Sequence, residues 1–191
     1  FAQAKSDPKR IAYAEGEDLR VLRAVQIAVD EGLAFPILVG RTAVIEANIK
    51  KLGLRLEHGV NIQIVDQEKN PDYEFFADDY YQIMQRKGVT PEYAHREARR
   101  RSTLIAAMLV KHGHADGMLC GTYSSYDIHL DFVKNVIGLK EGRSTFFTLN
   151  ALMLQDRNLF IADTYVNTNP TAEQLAEMTI LAAEEVRRFG V

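Results

Sequence analysis

Short apolar runs that end in a turn and give way to apolar residues at helical spacing recur along this chain. That alternation restricts it to an α/β fold with a mostly parallel sheet. A strand over residues 10–14 enters the acidic turn Glu15, Gly16, Glu17, Asp18, after which Leu22, Val25, Ala28 and Val29 follow at helical spacing up to Gly32. The same pattern predicts a strand at 36–39, a helix at 43–52, a strand at 61–65 and a helix over 71–87 stopped by Gly88. Thr90 and Pro91 mark the next helix start, and that helix continues with a break to His112. Beyond a strand at 118–120 and a helix at 128–136, residues 138–142 form a boundary. Strands at 146–154 and 159–162 then flank turn residues that permit a hairpin. Thr171 and Gln174 compose a capping box for a last helix whose face carries Leu175, Met178, Ala182, Val186 and Phe189. Gly190 stops that helix and Val191 stands alone, a pattern that suggests a fragment of something longer.

The formal charge of -3 over 191 residues argues against a general nucleic-acid or membrane-surface binder, since both partners select basic surfaces. The apolar run at 104–110 is far too short to span a bilayer, and the first ten residues lack the apolar core of a signal peptide. With one cysteine, Cys120, no internal disulfide can form, in keeping with a cytoplasmic setting.

Several features invite chemistry. In open parallel sheets, ligands sit at the carboxyl ends of strands, where both the 15–18 turn and the hydroxyl-rich loop after Gly121 should emerge. That loop, CGTYSSYD, offers backbone N–H groups and hydroxyls to an anion but has no cation between residues 115 and 130. The arginine cluster Arg96, Arg99, Arg100 and Arg101 reads either as a solvated helix face or as a clamp for the phosphates of a nucleotide-containing ligand. Tyr123 and Tyr126 could pack against an adenine or simply cover the sheet edge. His112 and His114 straddle Gly113 at a helix end, where such side chains cap carbonyls, so no metal site is expected. Cys120 has no neighbouring cation in sequence and reads as a small hydrophobe rather than a nucleophile.

Four phrases in order, RIAYAEGEDLRVLRAVQIAVDEGLAFPILVG, RKGVTPEYA, HADGMLCG and LFIADTYVNTNPTAEQLAEMTILAAEEVRRFG, resemble the phosphate acetyltransferase and butyryltransferase family. A narrower likeness, in YYQIMQRKGVT, CGTYSSYDIHLDFVKNVIG and ADTYVNTNPTAEQLAEMT, is to the C-terminal phosphotransacetylase-like domain of bacterial NADP-dependent malic enzymes. The resemblance implies a three-layer α/β/α fold in two subdomains, residues 1–140 and the start of a truncated second from 141, with an acyl-CoA cleft between them. It also implies acetyl-CoA as ligand, a malic enzyme catalytic domain in the same chain and a homo-oligomer of at least two copies. NADP and a divalent metal, Mg or Mn, would belong to that absent catalytic region. The residues expected to line the acetyl-CoA site are Glu15, Gly16, Gly121, Thr122, Ser124, Ser125 and Asn167, with Arg96, Arg99, Arg100 and Arg101 as phosphate partners.

Departures from the family pattern bear on activity. Active members typically carry arginines where this chain has Met84 and Asp131, and the family's catalytic serine, arginine and aspartate fall after the last helix. An exchanged unit charge at contact distance is worth about 1 to 4 kcal/mol between water and protein-surface dielectric. The expectation is therefore a sensing domain without acyltransferase activity. Its rivals are an active phosphate acetyltransferase and a purely structural oligomerisation domain.

Overall fold

The computed structural model describes residues 2–190. The chain separates into two compact units, one running to Gly138 and the other starting at Leu139. In the first, a short helix α1 (Ala2–Ser6) precedes β1 (Lys9–Tyr13), α2 (Leu19–Asp30), β2 (Ala34–Val39), α3 (Thr42–Leu52) and β3 (Gln63–Val65). Then come α4 (Tyr73–Met84), α5 (Pro91–Arg100), α6 (Ser102–Lys111), β4 (Gly117–Leu119) and α7 (Tyr126–Phe132). The four strands form one parallel sheet in the order β3-β2-β1-β4.

Alternation along the strands assigns the two faces. Ala12, Ala14, Ile37 and Val39 point to a core shared with α4, α5 and α6, including Phe76, Leu104, Ile105 and Met108. Tyr13, Leu38 and Ile64 point the other way, onto Leu22 and Val25 of α2 and Ile45 and Ile49 of α3. Because successive side chains in a strand face opposite sides, β2 must be apolar at every position of its 36–39 run, and those four residues are all buried. The result is a helix–sheet–helix sandwich.

Local chemistry explains where the helices stop. Thr90 accepts the Tyr93 N–H at 3.2 Å and Pro91 occupies the first turn, so α5 starts as its sequence predicts. The predicted break falls at Arg101, whose extended backbone ends α5 while its carbonyl receives the N–H groups of Leu104 and Ile105 at the start of α6. The helix predicted over 71–87 is shorter. Asn70 turns the chain by accepting the Asp72 N–H, and Gln85–Lys87 tightens into a 3₁₀ turn before Gly88. The helix after β4 begins at Tyr126 and widens to a π turn over Val133–Ile137.

In the second unit, β5 (Asn150–Met153) and β6 (Asn158–Ile161) pair antiparallel as a hairpin, followed by α8 (Ala172–Arg188). Its capping box is complete, with Thr171 and Gln174 each bonding the other's backbone N–H. The strand predicted over 146–154 is cut short because Thr148 spends its N–H and hydroxyl on Asp163 (2.8 and 3.1 Å) instead of on a ladder. Among the described residues, no helix is long and apolar enough to cross a membrane.

Candidate functional site at the carboxyl ends of the strands

The turn after β1 is built to approach β2 closely. Gly16 donates its N–H to the Val39 carbonyl at 3.1 Å, and a Cβ there would sit 2.8 Å from that oxygen. Only glycine fits. Held this way, Glu15 turns inward and is buried, accepting the Gly121 N–H at 2.9 Å and the Thr122 hydroxyl at 3.3 Å. One carboxylate thus ties the β1 turn to the loop after β4. Gly121 supports this with φ +107°, a conformation that side chains rarely adopt.

Asp18 caps α2, accepting the Arg20 N–H at 2.7 Å, and takes two further bonds from the Arg20 guanidinium at 3.0 and 2.7 Å. The guanidinium hydrogen bond first, and the backbone N–H with it, hold the Asp18 carboxyl at about 2, below its ordinary 3.8. The cap's contribution is complete above pH 4 and lost as the pH falls from 4 towards 2, because a depressed native pKa stabilises only while the group is ionised. Asp18→Ala should cost about 1 kcal/mol at pH 7. The gap from wild type, measured by urea unfolding, should shrink between pH 4 and pH 2.

Glu17 makes a similar fork with Arg41, accepting its Nε at 2.9 Å, its Nη2 at 2.7 Å and its backbone N–H at 2.8 Å. The Arg41 side chain lowers the Glu17 pKa, and Glu17 raises that of Arg41. These groups border a cavity of about 540 Å³ lined by Glu15, Arg41, Gln67, Arg99, Arg100 and Tyr123 among others. Gln67 lines it as well, and its side-chain amide nitrogen is buried without a hydrogen-bond partner among the described residues.

Of the residues expected to line a site, Glu15, Arg99 and Arg100 meet at this cavity, with Gly121 and Thr122 attached through Glu15. Gly16 faces the end of β2, while Ser124 and Ser125 are exposed and do not line the cavity. Arg96 lies over the Tyr93 ring and lines an open groove of about 670 Å³ that also includes Arg99 and Arg100. Arg101 is engaged by Glu97 at 3.1 Å. Asn167 belongs to the second unit, where its amide donates to Asp163 and to the Phe146 carbonyl, both at 2.7 Å.

Glu17 of the 15–18 turn also lines the cavity, as do Arg41, Gln67 and Glu68, which the sequence does not single out. Their signal is positional, since they follow the ends of β1, β2 and β3. Cys120 is exposed, yet partial desolvation first and the Glu15 carboxylate second push its thiol up to about 11, so it stays protonated at neutral pH. His112 bonds Asp79 at 3.0 Å and stacks on Phe76.

A family model described as phosphate acetyl/butaryl transferase matches residues 1–191. The chain belongs to the phosphate acetyl/butaryl transferase family. It is 51% identical over 191 residues to the NADP-dependent malic enzyme of Haemophilus influenzae and 50% identical to that of Escherichia coli. All of the chain is covered in both comparisons, but only 25% of each relative. It is 34% identical over 189 residues to the phosphate acetyltransferase of Nitratidesulfovibrio vulgaris, covering 99% of the chain and 26% of that protein. The chain thus spans about a quarter of the length of these relatives. A phosphotransacetylase from Streptococcus pyogenes superposes with a TM-score of 0.89 at 26% identity over the whole chain and 58% of its own. The chain is a phosphotransacetylase-like domain of the kind found in malic enzymes.

In this phosphotransacetylase-like domain, Met84 packs against the first core cluster and Asp131 is exposed. Neither lines the cavity. Two of the cavity's carboxylates are paired, Glu17 with Arg41 and Asp18 with Arg20, while Glu15 and Glu68 also line it. Arg99 and Arg100 form no ion pair with a carboxylate among the described residues. Arg99 lies over the Tyr73 ring at 4.9 Å.

Proposed function

We propose that this domain binds acetyl-CoA and reports its presence to a malic enzyme catalytic region in the same chain. The observation that carries this reading is the pair Arg99 and Arg100. They form no ion pair among the described residues and line both a cavity of about 540 Å³ and a groove of about 670 Å³. Two concavities that share arginine residues in their walls suit an extended ligand with phosphates along its length, because Arg forks pair with phosphate oxygens in two parallel bonds. Tyr123 supplies a ring face for the rest of such a molecule.

Acyl transfer would require the CoA thiolate to attack the acetyl carbonyl of acetyl phosphate, forming the thioester and expelling phosphate. Cations are needed on the leaving phosphate. Met84 and Asp131, at positions where active members carry arginine, supply none, so in this reading the domain binds without turning over. The parent would oxidatively decarboxylate malate to pyruvate in the cytoplasm, as a homo-oligomer, with NADP and a divalent metal held in its own catalytic region. Acetyl-CoA lies one step downstream of pyruvate, which makes it a sensible feedback signal. A preference of acetyl-CoA for one conformational state, with a coupling of about 1 to 3 kcal/mol, is enough to transmit it.

Calorimetric titration should give measurable acetyl-CoA binding that weakens roughly tenfold in Arg100→Ala, the loss of one charge-assisted contact. A parallel assay on the full-length protein, including any segment after residue 191, should detect no CoA-dependent phosphate release from acetyl phosphate. Turnover would make the domain a transferase. Absence of binding would leave it a scaffold.

A further inference from the structure

We infer that His129 is a positioning residue that latches the 121–125 loop to the buried helix α6 and so sets Tyr123 on the cavity wall. The binding half of this inference rests on the proposed ligand reading, while the latch itself does not. His129 sits in α7, buried, and both of its ring nitrogens are used. Nδ1 lies 2.8 Å from the Thr103 hydroxyl and Nε2 lies 2.7 Å from the Tyr123 carbonyl. A carbonyl can only accept, so Nε2 carries the proton, and in the neutral ring Nδ1 must accept from Thr103. The bonding pattern therefore specifies one tautomer and one direction: Thr103 to His129 to the loop.

The two ends of this relay differ in rigidity. Thr103 is buried in α6, among an apolar stretch that is buried from Thr103 through Leu109. The loop has nothing comparable, because Tyr123 is 59% exposed and the residues around it are outside any helix or strand. Ser124 also takes φ +74°, which a side chain adopts only where its surroundings hold it. Backbone tethers must do that work. Gly121 N–H goes to Glu15 at 2.9 Å, the Thr122 carbonyl receives a weak bond from Arg20 at 3.4 Å, and the Tyr123 carbonyl receives His129. The first tether fixes the entry to the loop. The last fixes the residue that lines the cavity, and no apolar packing substitutes for it.

Asparagine and glutamine separate the roles of the two ring nitrogens. His129→Asn places its amide near the Nδ1 position and keeps the Thr103 bond but cannot reach Tyr123. His129→Gln reaches the Nε2 position and keeps the Tyr123 bond. The chain has no tryptophan, so Tyr123→Trp installs a single indole whose anisotropy and acrylamide quenching report the loop without any ligand. In that background, His129→Asn should lower the anisotropy and raise the quenching, and His129→Gln should leave both near the parent. Acetyl-CoA affinity, measured in the Tyr123 form, should fall roughly five- to tenfold in His129→Asn only, the equivalent of one lost hydrogen bond. If Asn and Gln shift the indole equally, or neither does, His129 is merely a satisfied core histidine and the latch is wrong. An indole that responds to Asn alone while no variant, wild type included, binds acetyl-CoA would uphold the latch and overturn the ligand reading. Should His129→Asn fail to fold, the isosteric Thr103→Val removes the anchor instead, and an unchanged indole there would equally overturn the latch.

Discussion

Gly16→Val is expected to lower the unfolding free energy by about 2 to 3 kcal/mol, at the upper end of what overpacking costs. The reason is what the new side chain would meet. A Cβ at Gly16 lies 2.8 Å from the Val39 carbonyl oxygen, 3.0 Å from the Leu38 Cβ and 3.1 Å from the Val39 nitrogen. Two of those are backbone atoms of β2, a strand bonded to β1 on one side and β3 on the other. It cannot step aside as the end of a flexible side chain could. The turn must move instead, losing the 3.1 Å bond from Gly16 N–H to Val39 and carrying Glu15 away from the 121–125 loop. Gly32→Ala is the control. No atom lies within 4 Å of its added Cβ, so only its φ of +65° is strained and about 1 kcal/mol is expected. Urea unfolding of the two variants should separate them by at least 1 kcal/mol. Equal costs would mean that the tight contact with β2 carries no energetic weight.

The parts of the molecule that are readable from the sequence are those whose cause is local. Thr90 and Thr171 announce helix starts because capping needs only a hydroxyl and the N–H groups that follow it. Strand alternation reveals the sheet because β2 must be apolar on both faces. Features that depend on strand order are hidden. Arg41 and Gln67 join the cavity only because β2 lies beside β1 and β3 beside β2, an adjacency no short window encodes. The arginine cluster shows both sides of this. Its composition identifies a basic helix, yet only the break at Arg101 and the packing of α5 decide that Arg99 and Arg100 face the cavity while Arg101 turns to Glu97. Likewise the serines of the 121–125 loop attract notice for their hydroxyls. The structure gives the anchoring instead to the Tyr123 carbonyl and to His129, whose other partner is 26 residues away.

Glu15 is the point at which these strands of reasoning can be tested against one another. Glu15→Ala should remove the acceptor for the Gly121 N–H and the Thr122 hydroxyl together. Leaving a partly buried donor unpaired costs about 1 to 3 kcal/mol. Binding should suffer as well. Without Glu15 only the weak 3.4 Å bond from Arg20 to the Thr122 carbonyl still joins the β1 side to the β4 loop, so the wall carrying Tyr123 is held mainly by His129. Acetyl-CoA affinity in the proposed site should then fall at least tenfold, a loss of about 1.4 kcal/mol or more. Glu15→Gln discriminates between geometry and charge. Its amide oxygen can still accept from Gly121 and its nitrogen can donate to the Thr122 hydroxyl, so stability and binding should stay close to wild type if the tether is what matters. The lost charge has its own readout at Cys120, whose thiol is raised to about 11 first by burial and then by the Glu15 carboxylate. Removing that negative charge must lower the thiol pKa and speed alkylation by iodoacetamide at pH 8 to 9. Faster alkylation with intact binding in Glu15→Gln would separate the carboxylate's electrostatic effect from its structural one. Loss of binding in both variants would instead show that the negative charge itself, and not the hydrogen-bonded join between turn and loop, is what the ligand requires.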